Sequence, residues 1–518
     1  MAVIDFFDRG WRLNPDAIAF IQDEQSFTYR EVGGLSCSIA NKLLSLGLPK
    51  ETKGAVWASN DVTAWTCTLG LWRANMTWIP VNARNSAAEN EQMLNSFDCE
   101  VMFFQQQFAE VLADMQSRLP CIRHWVCIDA DLPQAPSLTN WCSGQPDTPP
   151  DVKVDMDDVV VLSATGGTTG APKGVMNTHR TVQTFVAHFM MACTYKNGQR
   201  PVNLAAAPIT HTAGVLSIPT SAQGGTVVVV TKPDPALMLR NIVQHRVTEF
   251  FLPPTVIYKL LEVPGIEKID FSSVQYLLYG AAPMSVEKLK KAIALWGPIM
   301  AGGYGQSEAM TAIANLRPDE HLRDGQLADD NRLSSVGRPN PLIRVEIMND
   351  QGQILPSGQS GEICVRGDLV MKGYYKNPEK TAETIVDGWL HTGDVGHIDE
   401  EGYLHITDRK KDMIITGGFN VYPSEVEQVI WSHPAVQDCA VIGVPDEKWG
   451  EAVKAVVELN PGFSVSEAEL IALCKDKIGS VMAPKTVDFV PSLPRSPAGK
   501  VLKKDLREPY WAAVKHRI

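Results

Sequence analysis

Short apolar runs alternate with longer amphipathic segments over most of the sequence. Residues 159–162, 226–231 and 250–252 are rich in valine, leucine and phenylalanine, as expected for strands that are buried on both faces. Segments such as 87–96 and 285–295 carry apolar residues at helical spacing. This alternation predicts an α/β fold in which helices cover mostly parallel sheets.

The chain of 518 residues is long enough for several hydrophobic cores, and its pattern of predicted secondary structure changes at two places. Around residues 342–373 short strands and turns predict a small antiparallel subregion. At Asp408 to Asp412 a charged run precedes about a hundred residues that predict a compact α+β domain. We therefore expect a large N-terminal domain, 1–408, and a small C-terminal domain, 412–518.

Composition excludes several classes of protein. A net charge of -12 gives no global attraction to nucleic acid or to anionic membranes. None of the ten cysteines forms a CxxC pair, which excludes a zinc knuckle and favours reduced, buried thiols. Residues 201–231 lack charge, but Asn203 and Pro208 interrupt them, so we interpret them as buried sheet and loop rather than a membrane span. Because no signal peptide is apparent, we expect a cytoplasmic protein without an integral membrane segment.

A glycine- and threonine-rich loop is the most informative motif. Glycines bring backbone N–H groups close to an anion, hydroxyls add donors, and a lysine adds charge. The loop lacks the Walker A spacing. Its residues are Thr165, Gly166, Gly167, Thr168, Thr169, Gly170 and Lys173.

This loop resembles the phosphate loop of the adenylate-forming superfamily, which includes acyl- and aryl-CoA synthetases, peptide-synthetase adenylation domains and beetle luciferases. Four further motifs follow in the order of that family: Tyr304-Gly-Gln-Ser-Glu308, Trp389-Leu-His-Thr-Gly-Asp394, residues 408–420 and residues 494–500. The resemblance covers essentially the whole chain. It implies a mobile C-terminal domain, a hinge at 409–411 centred on Lys411, and formation of acyl-AMP and pyrophosphate before transfer to a thiol.

The resemblance also implies roles for individual residues. Glu308 and Ser307 would hold Mg²⁺, Tyr304 would face adenine, and Asp394 would accept hydrogen bonds from the ribose. The wider ATP and AMP site would be completed by the small-residue turn Gly280, Ala281 and Ala282 together with Ser307, Arg409, Asn420 and Lys500.

Two residues are assigned to catalysis by the same resemblance. The ammonium of Lys500 would stabilise the charge that develops at the carboxylate and α-phosphate, and His211 would border the carboxylate. For His211 a buried structural histidine is the alternative.

Gly417 and Gly418 would close one wall of a tunnel for coenzyme A. The stretch from Arg495 to Arg517 contains seven basic residues and only two acidic ones. It is therefore interpreted either as a solvated tail or as a surface that binds phosphates.

The sequence constrains the identity of the carboxylic acid substrate and of the thiol acceptor less than it constrains the reaction. No carboxylate lies at 207–214, which disfavours an amino acid, and Val215, Leu216 and Ile218 favour an apolar medium-chain, aromatic or cyclic acid. Gly302 stands where the family usually has Asn or Gln, and this replacement is expected to widen the pocket. Gly166 stands where the family usually has serine.

Coenzyme A is the expected acceptor, because the insertion typical of fatty-acyl-AMP ligases is missing and no carrier domain follows Lys500. A stand-alone ligase that loads a carrier protein, a luciferase-type oxygenase and a non-catalytic nucleotide-binding protein are the alternatives. The sequence leaves open whether the chain acts alone or as a homodimer.

Overall fold

The structure is a computed structural model that describes residues 1–165, 172–232, 234–409, 412–496 and 500–515. Its largest sheet has nine strands, of which the central ones are parallel. In spatial order the strands are Arg338–Pro339, Ala314–Leu316, Met300–Tyr304, Tyr276–Tyr279, Glu249–Leu252, Val202–Ala205, Thr226–Val229, Ile18–Gln22 and Gln25–Thr28.

A seven-stranded sheet stands beside it and is also parallel in its middle. Its strands, in spatial order, are Gly373–Tyr374, Lys173–Thr178, Val159–Thr165, Thr77–Pro80, Lys53–Trp57, Val101–Phe104 and His124–Cys127. The first three pair antiparallel, so Lys173 lies directly opposite Thr165.

Two smaller sheets follow in the chain. The first is antiparallel, as predicted for 342–373, and contains Arg344–Met348, Gly361–Arg366, Trp389–Ile398, Ile385–Val386 and Leu404–Arg409. The second belongs to the C-terminal domain and contains Phe419–Val421, Ile414–Thr416, Gly450–Leu459, Val436–Asp446 and Thr486–Val490. A separate hairpin pairs Leu322–Arg323 with Gln326–Leu327.

Helices cover the sheets, which confirms the predicted α/β class. In the described part of the chain the α-helices are Val3–Leu13, Tyr29–Ser45, Val62–Arg73, Ala87–Ser96, Ala109–Met115, Leu138–Trp141, His179–Ala192, Thr212–Ala222, Pro235–Gln244, Pro254–Leu261, Val286–Trp296, Asp330–Ser334, Pro378–Thr384, Pro423–Trp431, Glu467–Met482 and Lys503–Lys515. Among these described helices, none has both the length and the apolar character needed to cross a bilayer. All ten cysteines are free, and nine of them are buried.

The uncharged stretch 201–231 differs from the prediction of sheet and loop. It contains the helix Thr212–Ala222 between two strands, with Pro219 inside it. The helix packs closely on the core, since a Cβ on Gly214 would lie 2.3 Å from the Trp65 ring. Burial of this helix between neighbouring elements outweighs the loss of one hydrogen bond at proline.

The N-terminus is fixed to the core by a buried histidine. His179 Nδ1 accepts a hydrogen bond from the Val3 N–H at 3.0 Å, and its Nε2 lies 2.9 Å from Asn75 Oδ1. These contacts require the neutral ring with its proton on Nε2, because Nδ1 must accept. Burial lowers the pKa of His179 from 6.5 to about 4.

This network predicts a loss of stability in acid. Between pH 6.5 and about 4 the unfolded chain binds a proton at His179 that the folded chain does not, so the unfolding free energy falls as the pH drops, by up to about 3 kcal/mol. In scans of melting temperature from pH 7.5 to 4.5, His179→Gln should show a shallower decline than the parent chain. Parallel curves would contradict this role for His179.

Candidate active site

The predicted phosphate loop joins two paired strands. Thr165 ends one strand, Lys173 begins the next, and the two residues are cross-strand partners. Residues 166–171 between them lie outside the described residues, and with them Gly166, Gly167, Thr168, Thr169 and Gly170 of the predicted site. The hairpin places Lys173 at the carboxyl end of Val159–Thr165, which is the edge where ligands of α/β sheets bind.

The small-residue turn follows the strand Tyr276–Tyr279. A Cβ on Gly280 would lie 2.5 Å from the carbonyl oxygen of Gly303, so only glycine allows these two strand ends to approach. Ala281 has a φ of 66°, a left-handed conformation that is uncommon outside glycine. Glycine is therefore required at Gly280 because backbone meets backbone there, and the place of Gly280, Ala281 and Ala282 in the ATP and AMP site stays a prediction.

A buried hydrogen-bonded cluster surrounds Asp394. The Tyr304 hydroxyl donates to Asp394 Oδ2 at 2.7 Å, and Arg409 Nε lies 3.2 Å from Oδ1. Asp394 is 5% exposed, and burial raises the pKa of Tyr304 well above its usual value. The three predicted residues are thus brought together, and each carboxylate oxygen retains a lone pair for a further donor such as a ribose hydroxyl.

A second cluster surrounds Glu308, which lies in the short 3-10 turn Ser307–Ala309. The Tyr374 hydroxyl donates to Glu308 Oε1 at 2.8 Å, and Lys173 Nζ lies 5.4 Å from the centre of the Tyr374 ring. Asn177 Nδ2 donates to the Ser307 carbonyl oxygen at 3.3 Å. Sequence reasoning missed Tyr374 and Asn177; the adjacent tyrosines 374 and 375 were the available signal.

The donor atoms of this second cluster fit Mg²⁺. Within the described residues, Glu308 Oε2 and the Ser307 hydroxyl have no hydrogen-bond partner. Both are hard oxygen donors, and Mg²⁺ is usually held by one or two carboxylates with water and phosphate oxygens completing its shell. In the same part of the chain no group of three or more His, Cys, Asp or Glu side chains could form a metal site built from protein alone.

His211 precedes the helix Thr212–Ala222. Its Nδ1 lies 2.8 Å from the Thr212 hydroxyl, and burial lowers the pKa of the ring, which is therefore neutral at pH 7. Ile218 belongs to the core, while Val215 and Leu216 are half-buried. Of these three apolar residues, only the latter two are open to a ligand.

Gly302 does not widen the pocket in the way that we expected. A Cβ at this position would lie 2.9 Å from the Tyr279 hydroxyl oxygen and 3.2 Å from Leu316 Cβ. A side chain at position 302 would therefore have to displace the end of Tyr279, which already lies against Gly302. The Tyr279 hydroxyl is itself held at 3.0 Å from His321 Nε2.

Lys500 lies in the C-terminal part of the chain, where its backbone pairs with Ser496. Its N–H donates to the Ser496 hydroxyl, and its carbonyl oxygen accepts from the Ser496 N–H at 2.8 Å. Arg495 forms an ion pair with Asp438 at 2.6 Å, and Lys503 forms one with Glu427 at 2.8 Å. Part of the basic stretch is therefore bound internally, and is neither a solvated tail nor a phosphate surface.

The predicted tunnel glycines form the turn between Ile414–Thr416 and Phe419–Val421. Gly417 and Gly418 have φ values of 58° and 83°, and the Gly417 N–H donates to the Trp449 carbonyl oxygen at 2.8 Å. Lys411 and the side chain of Asn420 lie outside the described residues. The hinge role of Lys411 therefore stays a prediction.

Comparison with known proteins identifies the family. Residues 7–375 match the profile of the AMP-binding enzyme family, and residues 425–500 match that of the AMP-binding enzyme C-terminal domain. The chain belongs to the AMP-binding enzyme family. This places it in the adenylate-forming superfamily, among enzymes of the acid–thiol ligase class.

Three relatives of this AMP-binding enzyme show which kinds of protein it resembles. A medium/long-chain-fatty-acid–CoA ligase of Mycobacterium tuberculosis is 42% identical over 362 residues, which are 68% of this chain and 62% of the relative. A feruloyl-CoA synthase of Amycolatopsis sp is 34% identical over 96% of both chains. The solved amide bond synthetase of Marinactinospora thermotolerans superposes with a TM-score of 0.89 at 30% identity, over 98% of this chain and 100% of that one.

The Asp394 cluster predicts the effect of Tyr304→Phe in this AMP-binding enzyme. Loss of a hydrogen bond to a charged group costs about 1.5 kcal/mol, so we expect the KM for ATP to rise roughly tenfold while the KM for the carboxylate is unchanged. Initial-rate measurements of pyrophosphate release would test this. Tyr276→Phe is the matched control, because its hydroxyl donates to the Thr194 carbonyl oxygen away from this cluster. Equal effects of the two variants would contradict the prediction.

Proposed function

We propose that this AMP-forming acid–thiol ligase joins an apolar carboxylic acid to coenzyme A through an acyl-AMP intermediate. One observation carries the proposal. The segment from Tyr304 to Glu308 links the Asp394 cluster to the second cluster, around Glu308, through hydrogen bonds at its two ends. Groups suited to ribose, phosphate and a divalent cation thereby line one edge of the sheets.

In the first step a carboxylate oxygen bonds to the α-phosphorus of ATP, and pyrophosphate leaves. Lys173 offers positive charge to the phosphates, and Lys500 stabilises the charge that develops between the carboxylate and the α-phosphate. Glu308 and Ser307 would hold Mg²⁺, which neutralises phosphate charge when bound. In the second step the sulfur of the thiol attacks the acyl carbon, the thiol loses its proton, and AMP leaves.

The acid is proposed from the walls of the site. A neutral His211 together with the half-buried Val215 and Leu216 offers no charge to the acyl group. The fatty-acid and feruloyl ligases among the relatives are named for apolar acyl groups. We therefore favour medium-chain, aromatic or cyclic acids over amino acids or short dicarboxylates.

A panel of acids, each tested with and without coenzyme A, would identify the substrate class. We expect AMP and thioester from fatty, cinnamic or alicyclic acids and none from amino acids. Acyl-AMP that accumulates with coenzyme A but moves to a phosphopantetheinyl carrier protein would favour the carrier-loading alternative. An amine should be included as a third acceptor, because one structural relative is an amide bond synthetase.

Substitution of Lys500 tests the catalytic assignment. Lys500→Ala should lower acyl-AMP formation by a factor of about 10² to 10³, the range measured when one charge-stabilising group is removed. Transfer from synthetic acyl-AMP to coenzyme A should persist, because in the proposed mechanism Lys500 has left the acyl-phosphate centre before the thiol attacks. Lys504→Ala is the matched control, an exposed lysine four residues further along. Equal loss of both half-reactions in Lys500→Ala would contradict the assignment.

Domain movement is proposed because Lys500 and the thiol need access to the same acyl-phosphate centre. The swing would take place at Lys411, where few backbone dihedrals need to change, and Gly417 and Gly418 would then border the thiol. Lys411→Pro should impair thioester formation far more than adenylation. Half-reaction rates measured separately decide this, and equal impairment would contradict the hinge.

A further inference from the structure

We propose that Tyr374 is a positioning residue that keeps Lys173 and Glu308 apart and ready for MgATP. The inference rests on the proposed function, in which Glu308 binds the cation and Lys173 binds phosphate. Tyr374 touches neither reacting group of the substrates in this proposal. It acts through the two charged side chains that it contacts.

Backbone hydrogen bonds fix Tyr374 to both sides of the site. The strand Gly373–Tyr374 pairs with Lys173–Thr178, and the Tyr375 N–H donates to the Gly174 carbonyl oxygen at 2.7 Å. On the other side the Met371 N–H donates to the Glu308 carbonyl oxygen at 2.8 Å. The Tyr374 N–H itself donates to the Thr381 hydroxyl at 2.9 Å. The ring therefore has little freedom to move relative to either partner.

The Tyr374 side chain, which is 6% exposed, contacts both charged groups. Its hydroxyl donates to Glu308 Oε1 at 2.8 Å, so the carboxylate is oriented with its other oxygen available. Its ring lies 5.4 Å from Lys173 Nζ, within the range of a cation–π contact. One side chain thus holds an anion by its hydroxyl and a cation by its ring.

This arrangement prevents mutual neutralisation. Lys173 and Glu308 both contact the Tyr374 side chain, yet within the described residues they form no ion pair with each other. A direct pair would occupy the ammonium that phosphate needs and the carboxylate that the cation needs. The aromatic ring separates the two charges while giving each a weaker partner that a ligand can displace or supplement.

The alternative is a purely structural role, in which the buried Tyr374 hydroxyl binds Glu308 only because buried polar groups need a hydrogen-bond partner. The structural role and the positioning role predict different effects of substitution. A structural role affects melting temperature and every ligand alike, whereas a positioning role affects MgATP selectively. Tyr374→Phe keeps the ring between the charges and removes only the hydroxyl, so it is the mildest test.

The experiment measures nucleotide binding by calorimetry without carboxylate, so that no turnover occurs. We expect Tyr374→Phe to weaken MgATP binding about fivefold, in line with one lost hydrogen bond to a carboxylate, with ATP binding in EDTA unchanged. In turnover assays the Mg²⁺ concentration for half-maximal rate should rise by a similar factor, with an unchanged KM for the acid. Tyr374→Leu, which removes the aromatic contact to Lys173 as well, should also weaken ATP binding in EDTA.

Tyr375→Phe is the matched control, because its hydroxyl donates to Asp98 Oδ2 at 2.6 Å on the other side of the strand. It should leave MgATP binding unchanged. Equal MgATP affinity in Tyr374→Phe and the parent chain, or equal weakening with and without metal, would overturn the inference. Glu308→Gln separates it from the proposed function: unchanged MgATP binding there would overturn the metal role of Glu308 itself.

Discussion

Three sheets meet at the five residues from Tyr304 to Glu308, and the site depends on the hydrogen bonds that hold them there. Tyr304 ends a strand of the nine-stranded sheet and is bound to Asp394 of the antiparallel sheet. Glu308 is bound to Tyr374, at the edge of the seven-stranded sheet. Each contact orients one end of this segment: Tyr304 towards Asp394, and the Glu308 carboxylate towards Tyr374, while backbone hydrogen bonds such as Met371 N–H to the Glu308 carbonyl oxygen hold the chain itself in place.

Backbone strain accompanies this convergence. Met310 and Thr311, immediately after the turn that contains Glu308, have φ values of 39° and 59°. A Cβ on Gly305 would lie 2.2 Å from the Thr311 carbonyl carbon, so the loop folds tightly on itself. Each left-handed residue costs about 1–3 kcal/mol. The sheets on three sides supply enough packing to hold this loop, which places Ser307 and Glu308 at its outer edge.

The sequence predicted the fold class because buried strands and amphipathic helices have distinct periods, and the strands and helices predicted at 159–162, 226–231, 250–252, 87–96 and 285–295 lie within a few residues of those in the structure. It failed at Thr212–Ala222, which was interpreted as part of a stretch of buried sheet and loop, although tertiary packing stabilises a helix there even with Pro219 inside it. Motif resemblance found Tyr304, Glu308 and Asp394 but neither Tyr374 nor Asn177. These act through contacts between residues 66 or more positions apart, which no local pattern reports. Gly302 was misjudged because its neighbour Tyr279 fills the space from another strand.

In the proposed mechanism, the anchoring of Lys500 constrains how it could leave the acyl-phosphate centre. Arg495 and Lys503 flank it, and their partners Asp438 and Glu427 are 5% and 4% exposed. Removing one member of such a buried pair costs about 3–5 kcal/mol, because the remaining charge is left without a partner. Displacing Lys500 by unfolding the chain next to it would break the Arg495–Asp438 pair, whereas Lys503 lies in the helix Lys503–Lys515 that follows. Under the proposed domain movement both pairs would stay intact, because Arg495, Lys503 and their partners all lie within 412–518 and would move together with Lys500. The contacts to be exchanged would instead be those with 1–408, such as the hydrogen bond from Gln428 Nε2 to the Met284 carbonyl oxygen at 3.2 Å.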